Sequence, residues 1–387
     1  MVAESYQTQL SSEFCRCCAL LSYSLIIGLS PSMPTDVAKT KELKRLTNEA
    51  LSYSGPRGIL AAIVDELVGI LESVSGFRVG QEQSLTDGET LCDHGLAISP
   101  AQAACCAGEY QRTAFFLRGA HSAIMKALEA KPGRVVRVLY AGSGPYATLA
   151  VPLMTIFPPE KVKFAILDLH TESIQSVRTI VSQLGLQCSV ESYVVTDACN
   201  YTIPPKGLPD ILLCETMSTA LEKEPQVGIT RHLLGQAPDA IMVPESVQIE
   251  AFLVDTSDEP DMIIPESEDP PESRKPNRIS LGPVFELSKA AIQSWQPTET
   301  ASLPAQSIRL PLIPKPSYRP FLFTTIITHG EHVLLTHDCN LTGIREIMEI
   351  DSVAAVGDSY QFSYLLGQNP RLVAEASESH APDSRTD

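Results

Sequence analysis

"RVVRVLYAGSGPY", residues 134–146, decides how the chain is read. Its apolar run through Val135, Val136, Val138, Leu139 and Tyr140 stops abruptly at Ala141-Gly142-Ser143-Gly144-Pro145. A short, nearly continuous run of β-branched, aliphatic and aromatic residues fits a strand covered on both faces. The glycine turn that ends it lets backbone approach a ligand where a Cβ would stand in the way. Further runs of the same kind follow: "KFAILDLH" (163–170), "SYVVTDA" (192–198), "DILLCE" (210–215) and "AIMVPE" (240–245). Between them, "TESIQSVRTIVSQLG" (171–185) carries the three-to-four spacing of a helix. Strand and helix in alternation predict a doubly wound, Rossmann-like α/β domain over 131–245.

On the amino-terminal side, 35–130, the period is helical. "TKELKRLTNEALSYSG" (40–55) runs to a glycine stop, and "GILAAIVDELVGILESV" (58–74) repeats Ile59, Ile63, Leu67, Ile70, Leu71 and Val74 along one face. A loop over 78–98 leads to Ser99-Pro100, an N-cap with proline at the first helical position, and one or two helices fill 100–130. Residues 1–34 read as an extension. Within it "CCALLSYSLIIGL" (17–29) has the length of a signal-peptide core, but Glu4 and Glu13 precede it with only Arg16 for positive charge. It is also too short to span a bilayer, so either a buried or amphipathic helix or an extension upstream of an ordered part that begins near Met33 is expected there. Beyond 245 the character changes again. The segment 255–273 holds eight acids, four prolines and no base, the composition of a solvated connector. "GPVFELS", "QSIRLPLI", "RPFLFTTIITHG", "EHVLLTHDCNL" and "DSYQFSYLLG" read as short strands, so 246–370 is expected to be an antiparallel β-barrel-like or sandwich domain. A disordered tail is expected over 371–387.

A chain of 387 residues, 44% hydrophobic, buries a sizeable core without disulfides or metals. Its formal net charge of −17, from 46 acids against 29 bases, repels nucleic acid and gathers cations or basic peptides. The ten cysteines form neither a disulfide framework nor a paired CxxC zinc pattern, which predicts a reducing, cytoplasmic setting. His329, His332 and His337 are read on successive strand positions without a carboxylate or cysteine framework, so surface or barrel-wall histidines are expected rather than a metal site. No nucleic acid and no membrane are expected as partners.

In a doubly wound sheet the ligand lies across the carboxyl ends of the strands, and the residues just past each run form a set. After the first comes the glycine turn. After the second come Asp168 and Leu169, the acid suited to accept hydrogen bonds from the two hydroxyls of a ribose. After the third come Asp197 and Ala198, the acid placed to accept from an adenine amino group. After the fourth comes Glu215, with Glu224 nine residues later. The third glycine of the dinucleotide fingerprint is absent, its place being taken by Ala147, so a nucleoside without a pyrophosphate fits better.

At this point the chain resembles the class I S-adenosylmethionine-dependent methyltransferases, and within them the protein arginine methyltransferases, over roughly residues 105–345. "VLYAGSGPYATLA" (138–150) looks like that family's cofactor loop, with the Gly-Pro ending closest to its symmetric-dimethylating branch. "EYQRT" (109–113) resembles the segment whose basic residue pairs with the cofactor carboxylate, a role that falls on Arg112. Glu215 and Glu224 match the family's double-glutamate loop in type and spacing, and "LLGQAPDAIMVPESVQIEAFL" (233–253) resembles the passage into its barrel. The resemblance implies S-adenosylmethionine as cofactor, with no metal. Arg112, Ala141, Gly142, Ser143, Gly144, Asp168, Leu169, Asp197, Ala198 and Glu215 would surround it, and Glu215 and Glu224 would be the catalytic pair.

The chemistry gives the two acids a reason. Methyl transfer from a sulfonium is an in-line displacement, in which holding the nucleophile on axis contributes as much as about 7–11 kcal/mol. A guanidinium is planar with forked donors, so two converging carboxylates bind it and orient one nitrogen. A structural role competes for Glu224, beside Pro225 at a helix start, and Glu222 competes with it for the substrate role. Two family features lack a counterpart. Thr328-His329-Gly330 and Thr336-His337-Asp338 do not reproduce the Thr-His-Trp segment, Trp295 lies upstream, and the acidic stretch stands where the family has a dimerisation arm. Three readings stay open: an N-methyltransferase acting on a protein arginine or a small amine or guanidine, a methyltransferase of the same fold acting on an oxygen or imidazole, and a catalytically silent binding module. The oligomeric state also stays open, with a homodimer among the expectations.

Overall fold

The structure, a computed structural model, describes residues 35–80, 84–257, 259, 277–296, 301–350 and 357–377. The expected extension over 1–34 and most of the acidic stretch, 258 and 260–273, lie outside the described residues.

Helices α1 (Thr35–Ser52) and α2 (Arg57–Ser75) pack through Leu43, Leu46 and Ala50 on one and Ile63, Leu67, Leu71 and Val74 on the other, all buried. Ile59, expected on that face, is exposed, while its neighbours Leu60 and Ala61 in the same first turn are buried. The stretch read as a plain loop contains a hairpin, β1 (Thr90–Cys92) with β2 (Gly95–Ala97). Three-residue strands are too short to show a period, which is why the sequence concealed them. Helix α3 (Pro100–Cys106) follows, capped by the Ser99 hydroxyl on the Gln102 N–H at 3.0 Å, and then α4 (Tyr110–Ala130).

The central sheet is parallel. Its strands β3 (Val136–Ala141), β4 (Val162–Asp168), β5 (Val190–Val195), β6 (Ile211–Cys214) and β7 (Ile241–Val243) lie in the order β5-β4-β3-β6-β7. The chain starts at the centre, winds outward through β4 to β5, then returns to the other side of β3. That reversal opens a crevice at the carboxyl end of β3, between β4 and β6. Helices α5 (Thr171–Gln183) and α6 (Gln226–Gln236) bury Ile174, Val177, Ile180 and Val181, and Val227, Ile229, Leu233 and Leu234.

The carboxyl-terminal part is antiparallel. Strands β8 (Ser246–Asp255), β9 (Arg278–Ser288), β11 (Tyr318–His329), β12 (His332–Leu334) and β13 (Ile344–Glu346) form one sheet, and β10 (Ser302–Arg309), β14 (Ser359–Leu365) and β15 (Arg371–Ala376) another. Strand β15 corrects the disordered tail expected from 371. "RLVAEA" alternates and pairs with β14 from Arg371↔Leu365 to Ala376↔Tyr360, while 378–387 lie outside the described residues. The run 331–341 is strand only at β12 and then turns, so His337 is not on a strand. Its Nε2 pairs with Glu259 at 2.9 Å, and Glu259 in turn holds Arg278. Asp255, read as part of the solvated segment, ends β8 buried and takes Lys315 at 3.0 Å. His329 Nδ1 meets the Ser122 hydroxyl at 2.9 Å, tying β11 to α4, where Gly119 leaves room for Thr328. Among the described residues no group of three or more His, Cys, Asp or Glu side chains converges as metal ligands would, and no helix is long and apolar enough to cross a membrane.

Candidate functional site

A cleft opens where the topology reverses. Gly142, Ser143 and Gly144 form its floor, Asp168, Leu169, Asp197 and Ala198 one side, and Arg112, Glu215 and Glu224 the far end. The structure thus brings together every residue singled out from the strand ends except Ala141, whose side chain is buried in the core behind the turn.

The turn is held open by its backbone. Gly142 and Gly144 adopt φ of 73° and 61°, in the left-handed region. A Cβ on Gly142 would stand 2.1 Å from Cγ2 of Thr216, the residue after Glu215. Gly142→Ala is therefore expected to cost about 1–3 kcal/mol of stability through backbone strain and a displaced Thr216, read as a lower unfolding temperature.

Asp168 is fixed from two sides. Its Oδ2 accepts from the Gly144 N–H and its Oδ1 from the His170 N–H, both at 2.8 Å. The carboxylate is thereby tied to the glycine turn, with a second lone pair left on each oxygen. The His170 ring places Nδ1 3.5 Å from Asp168 Oδ1, and this side-chain contact raises its pKa; the ring also reaches the Thr90 hydroxyl at 3.2 Å and so fastens the β1–β2 hairpin beside the cleft. That hairpin supplies Cys92 and Ala97 to the wall. Asp197 is less free than its sequence position implied, since its carboxylate accepts from the Cys199 N–H at 2.8 Å and the Asn200 amide at 3.0 Å and so shapes its own turn. Ser173 lines the cleft with a buried hydroxyl that has no partner among the described residues.

At the far end charge is concentrated. Arg112, in the first turn of α4 and 7% exposed, places Nη2 at 2.5 Å from Glu215 Oε1 and Nη1 at 3.3 Å from Glu109 Oε1. Burial works against the Arg112 charge and Glu215 works for it, and the balance sets its pKa well above the usual value. Burial pushes Glu215 upward, opposed by Arg112. Glu224 is pushed up to about 8 by burial, opposed by Arg112 and reinforced by Glu215. Cys106, also on the wall, is pushed to about 12 by burial, so its thiol is no ready nucleophile.

Neither competing arrangement is present among the described residues. Glu222 turns away and pairs with Arg345 Nε at 2.9 Å, so it does not stand in for Glu224. Nor does the Glu224 side chain cap α6, whose N-cap is Pro225 with no side-chain cap bond. The loop from 215 to 224 is strained, with Ala220, Leu221 and Lys223 at φ of 56°, 58° and 64°. Non-glycine residues persist in this conformation only where the surroundings impose it. Here Tyr364 OH donates to the Leu221 carbonyl at 2.7 Å, Thr219 Oγ1 to the Asn340 carbonyl at 2.6 Å, and Ala220 N–H to Thr324 Oγ1 at 3.1 Å. From the other side the Leu96 N–H donates to the Lys223 carbonyl at 2.7 Å. Gly95 lets the hairpin come this close, since a Cβ there would lie 2.7 Å from that carbonyl oxygen.

Several residues in and behind the wall escaped the sequence reading: Cys92, Ala97 and Ser173 line the cleft, while Glu109, which bridges Arg112 and the Asn340 N–H, and Gln226 support lining residues without lining it themselves. Only Glu109, three residues before Arg112, left a local signal.

No protein-family model matches the chain, and no curated protein does. Solved structures with a related arrangement include PRMT6, 11% identical with a TM-score of 0.43 over 67% of this chain and 95% of that one. Protein arginine methyltransferase 10 of Arabidopsis thaliana is 12% identical with a TM-score of 0.39, over 64% of this chain and 84% of its own. The CcbJ methyltransferase of Streptomyces caelestis is 11% identical with a TM-score of 0.24, over 68% and 73%. Likenesses this distant say nothing of substrate, which rests on the residues of the cleft.

Proposed function

We propose that the chain is an S-adenosylmethionine-dependent methyltransferase acting on a cationic nitrogen, either an arginine of a basic peptide or a small amine or guanidine. One observation carries the reading: at the end of a glycine-floored cleft, the carboxylates of Glu109, Glu215 and Glu224 surround a single buried guanidinium, Arg112. The site is short of positive charge, and desolvation keeps Glu224 from ionising until a cation arrives.

The residues present fit the cofactor. Gly142 and Gly144 line the cleft beside Asp168, the Ser173 hydroxyl has no partner among the described residues, and Arg112 presents a cation to the cleft. In this reading Gly142–Gly144 and Asp168 hold the nucleoside, Leu169, Asp197 and Ala198 flank its base, and Arg112 holds the carboxylate of the amino acid end. When bound, S-adenosylmethionine would supply a sulfonium methyl whose carbon takes a nitrogen lone pair as its bond to sulfur breaks and the neutral thioether leaves. Glu215 and Glu224 align the acceptor, and Glu224 takes the proton the nitrogen sheds.

A second reading has its own support. A carboxyl group with a pKa of about 8 suits a general base, which a neutral hydroxyl or imidazole acceptor needs. Incubation with methyl-labelled cofactor and matched panels of arginine-rich peptides, alkylguanidines, amines, phenols and imidazoles separates the two. Labelling confined to cationic nitrogens is expected, and labelling confined to oxygen or imidazole would overturn the first reading. Binding of a guanidine should also release a proton at pH 7, since Glu224 must ionise, and that release should vanish well above pH 8. Calorimetry in buffers of different ionisation enthalpy measures it. The proposed acceptors are cationic, in keeping with an acidic chain, and nucleic acid is not among the proposed partners.

A further inference from the structure

Resting on the reading above, in which Glu215 and Glu224 hold the acceptor, we propose that Gln226 is the positioning residue that sets the separation of these two carboxylates. Gln226 opens α6, two residues past Glu224, and is 0% exposed. Its Nε2 donates to the Cys214 carbonyl at 3.0 Å, while its Oε1 accepts from the Thr216 N–H at 2.9 Å and the Thr216 hydroxyl at 3.1 Å. Cys214 and Thr216 flank Glu215. One amide therefore grips the peptide groups on both sides of the first carboxylate from a point beside the second.

The loop between them does not hold its own ends. β7 pairs with β6 only as far as Leu213, and the side chain of Gln226 bonds the residues that follow. Ala220, Leu221 and Lys223 carry left-handed backbone, and Pro225 brings no cap to α6. A neutral amide of this length offers donor and acceptor together, as the two peptide groups require. An unbonded Thr216 N–H in this buried corner would let the loop relax and move Glu215 against Glu224.

Three variants of the full chain test this. Gln226→Leu fills the space without the amide, Gln226→Asn keeps the amide one methylene short, and Gln226→Glu reproduces both bonds while protonated. Cofactor affinity should fall by no more than about tenfold in all of them, because Asp168 is separate from the contact and only Thr216, which packs against Gly142, joins the two. Turnover should fall about a hundredfold with Leu and Asn at little change in acceptor KM, the effect of misplacement by about 1 Å. Gln226→Glu should match the wild type at pH 6 and lose turnover relative to it as pH rises. Ionisation removes the donor to the Cys214 carbonyl and adds charge facing Glu215, Glu224, the Cys214 thiol and Arg112. Amide exchange over 215–224 should quicken in Gln226→Leu while the rest of the chain keeps its protection. If the wild type binds cofactor yet methylates no cation, the acceptor reading falls, and the exchange measurement still judges Gln226. Wild-type turnover and protection in Gln226→Leu would overturn the proposal. Should that variant not fold, a Gln226→Glu profile parallel to the wild type from pH 6 to 8.5 would overturn it instead.

Discussion

Glu224→Gln should raise stability above neutral pH while lowering turnover on a cationic acceptor about a hundredfold, the usual scale for losing one charged contact made in the transition state. Both effects come from the same desolvation. The Glu224 pKa of about 8 lies above its ordinary 4.5, so the folded chain keeps a proton that the unfolded chain loses. Folding is therefore progressively less favourable as pH rises from 4.5 to about 8, by on the order of 5 kcal/mol in all. Glutamine cannot ionise and removes that slope. Variant and wild type should unfold alike near pH 4 and diverge by pH 8, the variant being the more stable. Thermal unfolding at the two pH values, with single-turnover methyl transfer alongside, measures both halves. A variant that gains no stability at pH 8 would mean that solvent reaches the carboxyl, and full turnover would remove Glu224 from the chemistry.

Arg112→Met carries the largest expected loss of stability. It deletes the cation 2.5 Å from Glu215 and 3.3 Å from Glu109, and it leaves Glu224 without the charge that holds its pKa down. Removing one partner of a buried pair costs about 3–5 kcal/mol, because the other stays desolvated and uncompensated. Protonation of the stranded acids relieves part of this, so the deficit should shrink as pH falls. In the proposed function the same change removes the contact to the cofactor carboxylate, and affinity should drop at least about tenfold, as for a lost charge-assisted hydrogen bond. Denaturant unfolding at pH 5 and 8 with calorimetric cofactor titration checks both, and an unchanged affinity would remove Arg112 from the cofactor site.

Much of the molecule was legible because its signals are local. The parallel sheet announced itself through near-continuous apolar runs, which only a strand covered on both faces needs, and the turn through Gly142 and Gly144, whose φ of 73° and 61° favour glycine. From these, the end of each strand could be counted off, and Asp168, Asp197 and Glu215 did reach one cleft. Strand β15 and the β1–β2 hairpin were missed, the first because a short alternating run at the chain's end was read as tail, the second because three residues carry no period.

The sequence by itself determined the alternation of strand and helix, the crevice at the topological reversal and the identity of the acids beside it. Only the tertiary structure decided what each acid does. Glu215 and Glu222 are both carboxylates within one loop, yet the first meets Arg112 from a helix 103 residues earlier and the second Arg345 from a strand 123 residues later. Among the described residues Glu224 pairs with no such cation, and its pKa of about 8 comes from desolvation at the partly buried end of the cleft, opposed by Arg112. Spacing along a chain fixes which residues follow a strand; how dry a carboxyl becomes, and which cation it meets, depends on what the rest of the chain packs against it.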